Sequence, residues 1–269
     1  MNALISVPLL SILGTFICWS IAKFLNSPWS TETTLICIAT ILTVYFANES
    51  TDTVEDLINK KTSPNSKKKY LIISIIMCIV CSLYSFFKQI NIMYLSILLI
   101  GFFYSFKLIP FKSKYIRLKD IPVIKNLIVS FYWSIPTVMI PLWVAKTEVN
   151  ISSDTIIITI ILGLSTFIST IISDAIDETG DRLANVKTLP VLFGVKNTLN
   201  ILTIILFVIG ITAFITFYLK HNLIFMGLIF VLWNFLNLNM FIAKSNFKFK
   251  NVLVDLDLLI IGSYLLLMK

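Results

Sequence analysis

The chain has 269 residues, of which 57% are hydrophobic and 13% charged, and its mean hydropathy is +0.91. Soluble domains carry roughly 25% charged residues, so this composition excludes an ordinary soluble protein and indicates one that lives in a bilayer. The net charge of +8 does not indicate a nucleic-acid partner, because the bases fall in short loops between apolar runs, where topology accounts for them.

A membrane-crossing helix needs about 20 mostly apolar residues. Nine stretches qualify in chain order: 4–24, 32–48, 70–88, 91–108, 124–144, 154–174, 198–219, 222–242 and 251–268. Backbone facing lipid must satisfy its hydrogen bonds within its own segment, so runs of this length predict helices and not barrel strands. The expected fold is an all-α membrane protein, nine transmembrane helices in one domain over residues 1–269. The first run has no basic lead and no small-residue cleavage site, and reads as a retained helix. Lys88-Gln-Ile-Asn91 and Lys220-His221-Asn222 predict tight hairpins.

Most of the 22 Lys and Arg lie in the loops after the second, fourth, sixth and eighth spans, from Lys60 to Lys69, Lys107 to Lys125, Arg182 to Lys196 and Lys244 to Lys250. That side is expected to be cytoplasmic, which puts the N-terminus inside a multi-pass cell-membrane protein. Lys67-Lys68-Lys69 reads as a topology anchor and a contact for anionic lipid. Cys18, Cys37, Cys78 and Cys81 fall in apolar runs and read as buried, reduced thiols, because no second pair or nearby His completes a metal site. The lone histidine, His221, sits in a loop, which argues against His-based chemistry.

Two acidic clusters remain. Asn48, Asp52 and Asp56 are spaced i, i+4, i+8 and share one helix face; Asp177 and Asp181 are i, i+4, with Asp174 three residues before. Both follow apolar spans at their C-terminal ends, where acids oppose the helix dipole and are unfavourable without a further role. Hard cations such as magnesium take such oxygen ligands, commonly one or two carboxylates plus substrate phosphates. Two facing ladders of like charge repel unless a divalent cation lies between them, so the two clusters are read as one site on the cytoplasmic side. The bases around them suit a diphosphate: Arg182 offers a planar fork and Lys187 and Lys119 point charges, while Lys125 reads as positive-inside charge. Gly180 is expected to let the helix bend at the ligand, and Leu189-Pro190 to end the loop.

These residues carry a resemblance. Asn48-Glu-Ser-Thr-Asp52-Thr-Val-Glu-Asp56-Leu-Ile-Asn59 resembles the first motif of the UbiA superfamily of intramembrane prenyltransferases. Asp174-Ala-Ile-Asp177-Glu-Thr-Gly180-Asp181-Arg182, with Lys187-Thr188-Leu189-Pro190-Val191 and Gly194, resembles its second. Tyr104-Ser105, Arg117-Leu118-Lys119 and Asn126-Leu127 are similar to the segment between them, and the resemblance covers nearly the whole chain. Two positions depart from the family pattern. Ser63-Pro64 stands where the family often has Arg-Pro, so one phosphate contact is lost or taken over by Lys60 or Lys61, and Glu49 stands for a frequent Asp.

The resemblance implies Mg2+ held by Asn48, Asp52, Asp56, Asp177 and Asp181, with the four aspartates as the catalytic set. It implies a polyprenyl diphosphate donor gripped by Lys119, Arg182 and Lys187. Tyr104, Phe106 and Tyr132 are aromatic faces available to an allylic cation, of which Tyr104 and Tyr132 are taken as pocket residues. The tail would lie between helices, open to membrane lipid. The acceptor is a small molecule or a lipid. Trp133-Ser134-Ile135-Pro136 resembles hydroxybenzoate-prenylating members and favours an aromatic quinone precursor. Geranylgeranylglyceryl phosphate and a porphyrin are the alternatives. An ion-coupled transporter would place its acids near the bilayer midplane, not at helix ends on one side. A CDP-alcohol phosphotransferase would need a D-x-x-D-G-x-x-A-R pattern, which the chain lacks.

Overall fold

A computed structural model describes residues 3–51, 67–90, 93–111, 114–145, 152–220, 233, 236–237 and 256–267. Helices dominate: α1 (Ala3–Phe24), α2 (Thr31–Thr51), α3 (Lys67–Phe87), α4 (Met93–Ser105), α5 (Ile124–Val144), α6 (Ser153–Leu183), the short α7 (Leu189–Phe193), α8 (Val195–Lys220) and α9 (Asp257–Leu267). Five of them, α1, α2, α3, α5 and α6, are long and apolar enough to cross a membrane. The expected eighth span, 222–242, and His221 lie almost wholly or wholly outside the described residues, as do Asp52, Asp56, Asn59, Lys60, Lys61, Ser63 and Pro64.

Polar residues inside the apolar helices are satisfied locally. The Thr15, Thr43 and Thr166 hydroxyls donate to carbonyls four residues back on their own helices; Thr40 does the same and also meets Tyr94 Oη at 2.8 Å. Helix starts are capped: Ser30 Oγ accepts from Thr33 N at 3.1 Å before α2, and Ser152 Oγ from Thr155 N at 3.2 Å before α6.

The core has several parts. Ile17, Ile21, Trp133, Ile158, Leu162 and Ile261 join α1, α5, α6 and α9. Ile168, Ile172, Leu199 and Leu202 join α6 to α8. Cys18, Cys37, Cys81, Tyr94 and Trp143 join α1 through α5. All four cysteines are free thiols, Cys78 half-buried and the others buried. Ile72, Ile76, Ile79, Leu83 and Phe86 of α3, with Ile204 and Phe207 of α8, form exposed apolar faces of the kind that meets lipid.

Three features differ from expectation. The fourth run is helical only to Ser105, and Ile109–Phe111 pairs antiparallel with Lys114–Ile116 in a small ribbon. Pro110 is the cause, since it biases Ile109 toward extended backbone and donates no amide hydrogen to a helix. The sixth helix extends well beyond its apolar run at 154–174 and, where a bend was expected at Gly180, stays helical through Gly180 to Leu183. Its stop is Asn185, whose φ of 57° allows Val186 N to donate back to Asp181 O at 2.8 Å, a left-handed C-terminal cap. Leu189-Pro190 does not simply end the loop; it opens α7, with proline in the first turn.

Candidate active site at one end of the bundle

The C-terminal ends of α2, α4 and α6 and the N-terminal end of α5 meet at one end of the bundle, and the chemistry-bearing residues gather there. Helix α6 has 31 residues, a rise of about 46 Å, against a hydrocarbon thickness of about 30 Å. It is thus longer than one crossing needs, and its last turns carry Asp174, Asp177 and Asp181.

Lys119 is delivered by a short turn. Between the β ribbon and α5, Leu118–Asp120 form one 3-10 turn. Arg117 fixes it: its Nε and Nη2 donate to Asp120 Oδ1 at 2.8 and 2.7 Å, and its backbone N donates to Oδ2 at 2.9 Å. Burial pushes the Asp120 carboxyl up, but the Arg117 hydrogen bonds and charge outweigh it and hold it below the ordinary aspartate value. The turn thus stays locked at neutral pH, and it buries Lys119 to 7% exposure. Lys119 Nζ donates to Asn48 Oδ1 at 2.7 Å and to Thr51 Oγ1 at 3.5 Å, and lies 5.9 Å from the centre of the Tyr104 ring. The structure therefore brings together Asn48, Tyr104 and Lys119, which lie far apart in sequence.

The second cluster divides. Asp174 is buried, and both its oxygens are engaged by α5: Lys125 Nζ donates to Oδ1 at 2.6 Å and Asn126 Nδ2 to Oδ2 at 3.0 Å. Lys125 is thus not a loose topology charge as the sequence suggested; it is the ion-pair partner of a buried carboxylate. Its ammonium is also within electrostatic reach of Asp181 at the end of α6. Asp177 is half-buried and Asp181 is 5% exposed. Arg182 turns to Glu178 on its own helix, Nε donating to Oε1 at 2.6 Å, with its side chain 58% exposed. Lys187 is exposed on the connection to α7. Ser105 Oγ and Thr188 Oγ1 are buried and, among the described residues, meet no hydrogen-bond partner. Such atoms are rare in folded proteins, and both fall beside motif residues, next to Tyr104 and Lys187.

Behind the polar mouth lies a small cavity between α2, α4 and α5. Asn48 and Tyr104 stand in its wall with Val44, Tyr45, Tyr132 and Trp133. Tyr132 contributes its ring, because its hydroxyl is spent on Ile97 O at 3.1 Å. Phe106 stacks on Phe102 with ring centres 5.4 Å apart and does not line this cavity.

The donors present are hard oxygens, which suit a magnesium ion and not a thiophilic metal. Among the described residues no group of three or more His, Cys, Asp and Glu side chains gathers; Asp52 and Asp56 lie outside them. The sequence reading passed over one buried acid. Asp257, at the start of α9, accepts from Ser165 Oγ at 2.9 Å and Ser169 Oγ at 3.0 Å on α6. Its signal was a pair of acids, Asp255 and Asp257, within the apolar run of the ninth span.

Comparison with known proteins agrees with this architecture. The chain is similar in fold to a UbiA homolog from Archaeoglobus fulgidus bound to DMAPP and Mg2+, with a TM-score of 0.61 at 14% identity over 97% of each chain. A UbiA homolog from Aeropyrum pernix K1 gives 0.66 at 13% identity, over 96% of this chain and 97% of that one. A digeranylgeranylglyceryl phosphate synthase gives 0.56 at 23% identity, over 97% and 92%. No curated protein sequence matches the chain. Residues 7–250 match the model of the UbiA prenyltransferase family, and the chain therefore belongs to that family of membrane enzymes and is a prenyltransferase.

Proposed function

We propose that the chain moves a polyprenyl group from its diphosphate to an aromatic quinone precursor, at the end of the bundle built from α2, α4, α5 and α6. The observation that carries this reading is Lys119: a buried ammonium, held against Asn48 and facing Tyr104, at the mouth of an apolar cavity. A cation with an oily cleft behind it matches a ligand with an anionic head and a hydrocarbon tail. Asn48, Asp52, Asp56, Asp177 and Asp181 would hold Mg2+. When bound, the metal would offset the charge of the diphosphate and favour its departure.

The chain's own residues do the rest. Lys119 donates to the diphosphate oxygens, and its pre-set position avoids reorganisation as charge builds on them. Arg182 joins from the rim by exchanging Glu178 for phosphate. An exposed i, i+4 pair is worth only about 0.5 kcal/mol, so the exchange costs little. Lys187, also at the rim, adds positive charge. The allylic carbon–oxygen bond breaks and its electron pair leaves with the diphosphate. The rings of Tyr104 and Tyr132 present π faces to the developing cation, worth about 0.5–2 kcal/mol each. The acceptor's nucleophilic atom then bonds to the allylic carbon and its proton passes to solvent at the mouth. The aromatic lining of Tyr45, Tyr104, Tyr132 and Trp133 supports an aromatic acceptor. Loop charge supports nine spans, a cytoplasmic N-terminus and a cytoplasmic site.

The test uses purified protein with prenyl diphosphates of several lengths and an acceptor panel of hydroxybenzoate, dihydroxynaphthoate and geranylgeranylglyceryl phosphate. Asp52→Ala and Asp177→Ala are each expected to abolish magnesium-dependent transfer while the protein remains monodisperse in detergent. Full activity in either variant would end the mechanism, and product formed only from the glyceryl phosphate would end the aromatic assignment.

A further inference from the structure

A second, small cleft lies beyond the first. Its walls include Cys18, Cys37, Thr40 and Ile140. Together the two cavities follow α2 from Asn48 to Cys37, a rise of about 16 Å, and α5 from Ile128 to Ile140, about 18 Å. They therefore form one path that starts at the polar mouth and runs into the apolar interior.

The path is divided. Tyr45, Tyr132 and Trp133 stand in the walls of both cavities. Trp133 Nε1 donates to Tyr45 Oη at 2.8 Å, and the ring centres are 6.1 Å apart with planes tilted by 59°. The Trp133 ring is seated from behind by Gly14, where a Cβ would come within 2.8 Å of ring atoms Cη2 and Cζ3. It is 6% exposed. A hydrogen bond inside an apolar surround resists opening, because the Trp133 Nε1 donor would lose its bond to Tyr45. This makes the pair a built partition and not two rings in casual contact.

We propose that the Tyr45–Trp133 pair sets the length of prenyl tail that the enzyme accepts. The first cavity takes the units nearest the diphosphate, and the second fills only when the pair is displaced or trimmed. The inference rests on the donor assignment of the previous subsection, since the tail enters the path where Asn48 and Lys119 hold the head.

The experiment measures binding of geranyl, farnesyl and geranylgeranyl diphosphate, with magnesium, to the full-length protein in detergent by calorimetry. Tyr45→Phe removes one oxygen and keeps the ring. Trp133→Phe removes the donor and part of the wall. Relative to wild type, each is expected to raise the ratio of geranylgeranyl to geranyl affinity by about tenfold, the scale on which hydrophobic pockets discriminate chain length. Tyr45→Phe keeps the test alive if Trp133→Phe does not fold. A ratio that stays at the wild-type value overturns the partition. Failure of wild type to bind any of the three diphosphates overturns the donor assignment itself, so the two failures are distinct.

Discussion

Asp174 and Asp181 are both buried acids on one helix, yet the structure uses them differently. Asp174 has Lys125 on one oxygen and Asn126 on the other, so it pins α5 to α6. The partner side chain is a quarter exposed. Lys125→Met would strand a buried carboxylate, at a cost of about 3 kcal/mol, the lower end of what breaking such pairs costs. The double variant Lys125→Met with Asp174→Asn removes the orphaned charge and is expected to recover most of that loss. Thermal unfolding in detergent checks both; equal midpoints for the single variant and wild type would show that the pair contributes nothing. The residue pattern made the acids visible, but it could not show that Asp174 was already spoken for. Lys125 comes from another helix, and no spacing rule links residues 49 positions apart.

At the scale of elements, periodicity located most of the apolar helices within a few residues and failed where local chemistry competes with hydropathy. Pro110 converted the end of an apolar run into a ribbon, and α6 stayed helical through polar residues because nothing before Asn185 stops it. Helix pairing shows the same limit. Gly262 on α9 lies against α1, where a Cβ would come 2.7 Å from Phe16 Cε1 and 3.0 Å from Ser20 Oγ. The glycine leaves room for the Phe16 ring and the Ser20 hydroxyl of α1 to pack against α9. Gly262→Val is expected to force α1 and α9 apart at a cost of about 1–3 kcal/mol, read as a lowered unfolding midpoint in detergent. An unchanged midpoint would mean that the two helices can separate without loss.

For the whole molecule, the proposed direction of insertion rests on loop charge alone and is open to test. The ends of α3 offer a direct measurement. Lys68 is exposed at its start, and Lys88 follows its end with 54% side-chain exposure. In a background with the four native cysteines replaced, Lys68→Cys should react with an impermeant maleimide only after cells are opened, and Lys88→Cys on intact cells. The reverse pattern would invert the topology and move the site to the outer face. Lys67, the first base of that run, is itself buried, so only its two neighbours are placed to meet lipid headgroups.

Composition alone determined that the chain belongs in a bilayer, because so few charged residues cannot cover a soluble surface. The two acidic motifs identified the family, because ligand spacing on a helix is periodic and can be read along one strand of text. Tertiary structure decided what periodicity cannot carry: that Lys119 reaches Asn48, that Lys125 occupies Asp174, and that Trp133 donates to Tyr45. Each of these joins residues on different elements, and their meeting depends on how helices pack, which is set by side-chain shape along whole faces and not by any local run of sequence.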